Sequence, residues 1–291
     1  MSAEANANAN ANAVTADALL RASPLPALEA RLLLMQVLGW RRTTLIARGD
    51  EVLDAAPVAA YRALEARRVN GEPIAQIVGA REFYGLDFEV TPDVLIPRPE
   101  TELLVETALA ALDGRAAPRV LDLGTGSGAI AVAIASARPD ARVWAVDRSA
   151  AALAVAGRNA ARLLDAKRPG GPLTFVAGSW YDALDPALRF DVIVSNPPYI
   201  ASGDPHLEQG DLRFEPRGAL TDEADGLTAL RAIVAGASAH LSPGGVLWME
   251  HGYDQAAAVR ALLNAHGFAE VRSERDLAGI ERITGGRGGR L

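Results

Sequence analysis

A chain of 291 residues with 49% hydrophobic content suits one medium catalytic domain accompanied by a smaller one. Its net charge of −7 disfavours a surface that tracks phosphates, and a sequence with no cysteine excludes disulfides, thiolate catalysis and Cys-ligated metal. No apolar run approaches a membrane span and the N-terminus lacks the basic start of a secretory signal, so a cytoplasmic protein is expected.

Residues 1–14, with their Ala-Asn alternation, cannot bury apolar surface and are expected to form a disordered tail. A small helical domain is predicted over residues 15–80. There Leu28, Leu32, Met35 and Leu38 recur at helical spacing and stop at Gly39, and Pro57 opens a second helix through Val58, Tyr61 and Leu64 that ends at Asn70-Gly71. Residues 81–97 are rich in β-formers from Phe83 to Ile96, with a break at Gly85, and read as a β-hairpin linker. Residues 98–291 are expected to form the larger, catalytic domain, in which strands and helices alternate from Arg119 to about Phe268; this pattern specifies a mostly parallel sheet with helices on both faces. The closing run Gly285-Gly286-Arg287-Gly288-Gly289-Arg290 reads as a flexible end, with an RNA-binding tail as the alternative. Of the 29 basic residues 28 are arginine, which reads as compositional bias, and the histidines His206, His240, His251 and His266 lack ligand spacing, so no metal is expected.

Three segments carry chemistry. Arg119–Leu123 leads through Gly124-Thr125-Gly126-Ser127-Gly128 into an apolar helix, and such a strand, glycine turn and helix let a ligand approach the backbone closely. The motif alone also suits dinucleotide folds or tight packing. The next strand, Arg142–Val146, ends at Asp147, at a distance that suits a carboxylate accepting both hydroxyls of a ribose; an N-cap ahead of Ser149 is the other meaning. Phe190–Ser195 reads as a buried strand that runs into Asn196-Pro197-Pro198-Tyr199. Two prolines cannot continue a central ladder, so the chain turns where open α/β sheets place their ligands. Proline removes donors and holds Asn196 and Pro197 extended with their carbonyls free. The Asn196 side-chain oxygen and a neighbouring main-chain oxygen can together accept both hydrogens of a planar –NH2 group, while the Tyr199 ring covers its face.

The ordered set of glycine turn, Asp147 and Asn-Pro-Pro-Tyr resembles the S-adenosylmethionine-dependent methyltransferases of class I, whose Rossmann-like fold dinucleotide enzymes share without that turn. With Ile96-Pro97-Arg98-Pro99-Glu100-Thr101-Glu102, Arg213-Phe214-Glu215-Pro216 and Glu250-His251-Gly252 added, the chain is similar to HemK-type glutamine methyltransferases of peptide chain release factors from about Ala16 to Arg287. Gly71–Gly79 with Arg81–Gly85 matches that family's hinge region. The resemblance implies that Gly124, Thr125, Gly126, Ser127 and Gly128 touch the methionine portion of the cofactor, that Asp147 takes the ribose, and that Trp180 sits beside the adenine end. A tryptophan of the core or of a surface patch is the other meaning of Trp180. It further implies that Asn196 touches cofactor and substrate, that Pro197, Pro198 and Tyr199 touch the substrate glutamine, and that the last strands, near Glu270–Glu274 and Ile280–Thr284, form an antiparallel edge. Arg98 and Glu100 recur in the family but also read as an ordinary helix N-terminus, and stay outside the expected site.

The expected reaction is direct methyl transfer to a side-chain amide nitrogen, with S-adenosylhomocysteine as co-product. A primary amide is a weak nucleophile, so positioning supplies much of the rate and no strong general base is needed. The implied partner is a class 1 release factor, whose Gly-Gly-Gln loop carries the amide and which the helical domain helps engage. Three rivals share parts of the pattern. A ribosomal-protein glutamine methyltransferase has the same turn, but Ile-Pro-Arg-Pro-Glu-Thr-Glu and Arg-Phe-Glu-Pro favour the release factor type. A nucleic-acid amino methyltransferase needs a base-reading module that is not found. A binding protein on a retired fold is at odds with intact cofactor and amide motifs.

Overall fold

The computed structural model describes residues 14–289, in two compact units that part between Gly79 and Ala80. Of the tail expected over 1–14, only Val14 falls among the described residues, and its carbonyl already accepts from Leu53 N–H at 2.9 Å.

The first unit is helical: α1 (Ala16–Ala22), α2 (Ala27–Leu38), α3 (Arg42–Ala47), α4 (Ala55–Val69) and α5 (Ile74–Val78). Thr15 caps α1 by accepting from Ala18 N–H at 3.1 Å. Gly39 and Gly79 close α2 and α5 in the left-handed region, at φ 64° and 76°. Pro57 is the third residue of α4 rather than its opener, a position whose N–H has no partner within a helix. The helix predicted through Leu28 exists, but only half of its predicted stripe faces the core. Met35 and Leu38 pack against the core, Leu28 is 68% and Leu32 38% exposed, and Leu33 and Leu34 join Leu19, Leu45 and Tyr61 in the core instead. The segment is apolar nearly all round, so spacing alone leaves its phase open and the neighbouring helices set it.

The second unit opens with a hairpin, β1 (Ala80–Phe83) antiparallel to β2 (Leu86–Glu89). Tyr84 and Gly85 form its two-residue turn with φ of 53° and 74°, the doubly positive geometry that matches strand twist. The hairpin is thus shorter than the expected 81–97, because pairing stops at Glu89. There the buried Asn159 side chain takes over, accepting from Glu89 N–H at 2.7 Å and donating to Glu89 O at 3.1 Å, while Pro92 and Pro97 have no N–H to extend a ladder.

The main sheet has seven strands: β3 (Arg119–Leu123), β4 (Arg142–Asp147), β5 (Thr174–Ala177), β6 (Phe190–Ser195), β7 (Leu241–Glu250), β8 (Ala269–Arg275) and β9 (Glu281–Arg287). Their order is β5-β4-β3-β6-β7-β9-β8; the first five are parallel, and β9 and β8 form an antiparallel edge. Alternation along β3 and β6 feeds two cores. Val120, Val192 and Val194 face α6 (Glu102–Ala111) and α7 (Ala129–Ala137), and Leu121, Leu123 and Ile193 face α10 (Thr228–His240) and α11 (Ala256–Ala265). Helix α8 (Ala150–Leu163) follows β4, and a four-residue helix α9 (Arg217–Leu220) lies in the long β6–β7 connection. No helix among the described residues is long and apolar enough to cross a membrane.

The glycine-rich close is not a flexible end through Arg287, because Gly285 and Gly286 belong to β9 opposite Trp248 and Leu247. A Cβ on Gly285 would stand 2.3 Å from Leu247 O and from the Trp248 ring. The glycine is what lets an indole lie flat on the sheet. Gly285→Ala should therefore cost about 1–3 kcal/mol of unfolding free energy, read by chemical denaturation, through overpacking against backbone.

Candidate active site

The strand order reverses at β3: the chain leaves β3 for β4 on one side and later returns to β6 on the other. A crevice must open at the carboxyl ends of the strands flanking such a point. A cleft of about 250 Å³ lies there, lined among others by Gly124, Gly126, Asp147, Trp180, Asn196 and Pro198. Leu123 stands level with Val146 of β4 and Ser195 of β6, so the residues just beyond them emerge side by side. Ser195 fixes the junction by donating its hydroxyl to Leu123 O at 2.7 Å.

The glycine turn is held by protein acceptors. Gly124 and Thr125 N–H both donate to Val146 O, at 2.8 and 3.0 Å, and Gly128 N–H donates to Thr125 O at 2.8 Å. Gly126 N–H donates to the Asp147 carboxylate at 2.9 Å, and the second Asp147 oxygen accepts from Ser149 N–H at 2.8 Å. Asp147 is thereby oriented with one further lone pair on each oxygen available. A Cβ on Gly124 would reach 3.6 Å from Trp180 Cζ3, so any side chain there would fill the space between turn and indole. Thr125, Ser127 and Gly128, expected on the cofactor, are buried and do not line the cleft. Thr125 donates its hydroxyl to Asp122 at 2.6 Å, Ser127 O accepts from Asn159 at 2.9 Å, and Gly128 lets α7 approach Ala156 of α8. Burial pushes the Asp122 carboxyl up to about 7, and its Oδ1 has no partner among the described residues.

The turn after β6 presents two acceptors. Asn196 directs Nδ2 to the Thr101 hydroxyl at 3.1 Å, while no donor among the described residues reaches its Oδ1 or the Pro197 carbonyl. Pro197 itself is buried and Pro198 lines the cleft. The Tyr199 carbonyl is not available, because Gln255 Nε2 donates to it at 3.0 Å. The Tyr199 hydroxyl donates to Glu250 Oε1 at 3.2 Å, and burial raises its pKa further above the ordinary phenol range.

Two motifs far apart in sequence meet beside this turn. Glu215, whose side chain is fully buried, accepts from the Arg98 guanidinium and from Ile96 N–H, the latter at 2.9 Å. Pro216 and Gly218 then continue along the cleft, and Ile200 N–H donates to Leu220 O at 3.0 Å, so the β6–β7 connection folds back over the strand ends. Arg98 thus has a pairing role that a helix N-terminus does not explain. Thr101 and Glu250 are further residues of the site for which no role was read from sequence; their motifs were visible, their contacts were not. Adjacent His251 is a buried structural link, held between Gly252 O at 2.8 Å and the Thr284 hydroxyl at 2.7 Å.

A reversed parallel sheet with a glycine turn, an acidic residue closing the next strand and an acceptor turn after β6 defines a methyltransferase of the class I fold. Agreeing with this, a methyltransferase from Pyrococcus furiosus superposes with a TM-score of 0.52 at 21% identity, over 78% of this chain and 98% of that one, and shares the fold. Family models match as well: the PrmC N-terminal domain over residues 14–79 and the methyltransferase small domain over 99–210. The release factor glutamine methyltransferase of Burkholderia pseudomallei is 72% identical over 94% of this chain and 96% of its own length. That of Bordetella pertussis is 62% identical over 90% and 95%. The chain belongs to the release factor glutamine methyltransferase family.

Removing the Glu215 carboxylate leaves Arg98 and Ile96 N–H without an acceptor. Glu215→Ala should cost about 2–3 kcal/mol. Hydrogen exchange should speed up in residues 94–98 and 205–216 and stay unchanged in β3 and β6.

Proposed function

We propose that the cleft binds S-adenosylmethionine and that the chain methylates the side-chain amide nitrogen of the glutamine in the Gly-Gly-Gln motif of class 1 release factors. One observation carries the reading: Asn196 Oδ1 and the Pro197 carbonyl, on adjacent residues of the turn beside the cleft, have no donor among the described residues. A primary amide offers two N–H donors in one plane, and two acceptors orient its nitrogen face toward the cleft.

The cofactor assignment draws support from charge and hydrogen bonding. A pyrophosphate is held at such a turn by free backbone N–H groups. Here the N–H groups of Gly124, Thr125, Gly126 and Gly128 are taken, and the carboxylates of Asp122 and Asp147 flank the turn. That environment suits a cationic nucleoside without phosphate. Gly124 and Gly126 would lie against its methionine portion, Asp147 would accept the ribose hydroxyls, and Trp180 would cover the adenine end.

When bound, S-adenosylmethionine supplies an electrophilic methyl group on a sulfonium. The chain supplies orientation: Asn196 and Pro197 hold both N–H groups, the Tyr199 ring bounds the amide face, and the folded-back β6–β7 connection excludes water. As the N–C bond forms the S–CH3 bond breaks with its electrons left on the departing thioether, and one N–H proton, made acidic by alkylation, passes to solvent when the product is released. Among the described residues no histidine or lysine lines the cleft, consistent with a step that needs no strong base.

The test is mass spectrometry of a recombinant release factor incubated with the protein and S-adenosylmethionine, beside a factor whose Gly-Gly-Gln glutamine is replaced. One added methyl, mapped to that glutamine and lost in the control, is expected. Methylation elsewhere, or none despite cofactor binding, overturns the assignment. Asn196→Ala should lose about 3–4 kcal/mol of barrier lowering with cofactor affinity nearly unchanged. Asp147→Ala should weaken cofactor binding by at least about 100-fold in calorimetric titration, through two lost charge-assisted hydrogen bonds.

A further inference from the structure

Beside the acceptor turn lies a buried chain of hydrogen bonds that the reaction scheme does not itself require. Asn196 Nδ2 is 3.1 Å from Thr101 Oγ1, Thr101 Oγ1 is 2.6 Å from Glu250 Oε2, and Tyr199 Oη is 3.2 Å from Glu250 Oε1. Thr101 and Glu250 are buried, and Glu250 is only 1% exposed. The four groups come from distant parts of the chain: the 3-10 turn Pro99–Thr101, the end of β7 and the turn after β6.

The protons in this chain can run in one direction only. A carboxylate has no proton to give, so it accepts from both hydroxyls. Thr101 has one hydroxyl proton, and donating it to Glu250 leaves only a lone pair for Asn196. The Asn196 side chain must then turn its NH2 group to Thr101 and its oxygen away from it. The flip of an asparagine amide is nearly neutral sterically, so hydrogen-bond partners decide it. Were it reversed, Nδ2 would face the substrate –NH2, and donor would meet donor where an acceptor is required.

We propose that Thr101 and Glu250 are positioning residues for methyl transfer: through the directed chain Asn196 to Thr101 to Glu250 they fix the Asn196 amide with Oδ1 toward the substrate nitrogen. The inference rests on the reading of Asn196 as an amide acceptor and extends it to residues that touch neither cofactor nor substrate. The charges that bear on Glu250 are Arg282 of β9, which favours its ionised form, and Glu100 of the 3-10 turn, which opposes it; Tyr199 and Thr101 donate to it. Burial is the largest influence and raises its pKa from 4.5 to about 6. Below that pH the carboxyl gains a proton, can donate to Thr101, and no longer dictates the direction of the chain. Activity should therefore fall as pH drops through about 6.

The experiment compares Thr101→Val, which keeps shape and removes the hydroxyl, with Thr101→Ser, which keeps the hydroxyl. Thr101→Val should lower kcat at least tenfold with the S-adenosylmethionine Kd within twofold of wild type, and Thr101→Ser should stay within threefold in kcat. Equal kcat for Thr101→Val and wild type overturns the proposal. In Glu250→Gln the acidic limb of the kcat profile should vanish; a limb that persists overturns the role of Glu250. A readout independent of turnover is the side-chain amide NMR signal of Asn196 in asparagine-labelled protein, which should move in Thr101→Val and hold in Thr101→Ser. An unmoved signal in Thr101→Val overturns the positioning even if turnover falls. Asn196→Ala with full turnover instead overturns the acceptor reading, and the NMR comparison still decides whether Thr101 orients the amide.

Discussion

The parallel pairing of β3 with β4 on one side and β6 on the other is the constraint on which the cleft depends. Because Leu123 lies level with both Val146 and Ser195, the glycine turn, Asp147 and Asn196 leave the sheet in one row. A one-residue slip of β6 would exchange its two faces and bury Asn196 where Ser195 now stands. The Ser195 hydroxyl on Leu123 O guards against that slip at the very edge where the ladder stops. These groups all follow the ends of neighbouring parallel strands, so the site's geometry is a property of sheet register more than of any loop.

Around this row three carboxylates each hold separate segments together. Asp147 binds the glycine turn to the start of α8, Glu215 binds the β6–β7 connection to the segment before α6, and Glu250 gathers the 3-10 turn and Tyr199. A buried carboxylate left without donors is costly, so these contacts fix conformation more than they add stability. The pattern explains why short acidic motifs scattered over more than a hundred residues belong to one site. It also places three negative charges close to a cleft in which positive charge on sulfur is to be accommodated.

Much of this was legible in the sequence, and the remainder was hidden for identifiable reasons. The alternation of strands and helices, the glycine turn, Asp147 and the double proline are local signals, and the fold places all of them at one crevice. The buried face of α2 was only half legible, in Met35 and Leu38, since a helix apolar nearly all round carries little phase of its own. Gly285 read as loop because a strand glycine has no propensity signal; only the Trp248 ring above it gives the reason for its place in β9. The separation of the five glycine-turn residues into two that line the cleft and three that support it is set by hydrogen bonds to Val146, Asp122 and Asn159, none adjacent in sequence. Thr101 and Glu250 were visible inside motifs, but a link across 149 positions cannot be read from spacing.

Asn159 has a consequence that reaches past packing. Its single amide accepts from Glu89 N–H, donates to Glu89 O, and donates again to Ser127 O, which makes it a mechanical joint between the hairpin's end and the glycine turn. The hairpin, no residue of which is among those lining the cleft, is thereby tied by one side chain, with no intervening loop, to the turn on which the cleft is built.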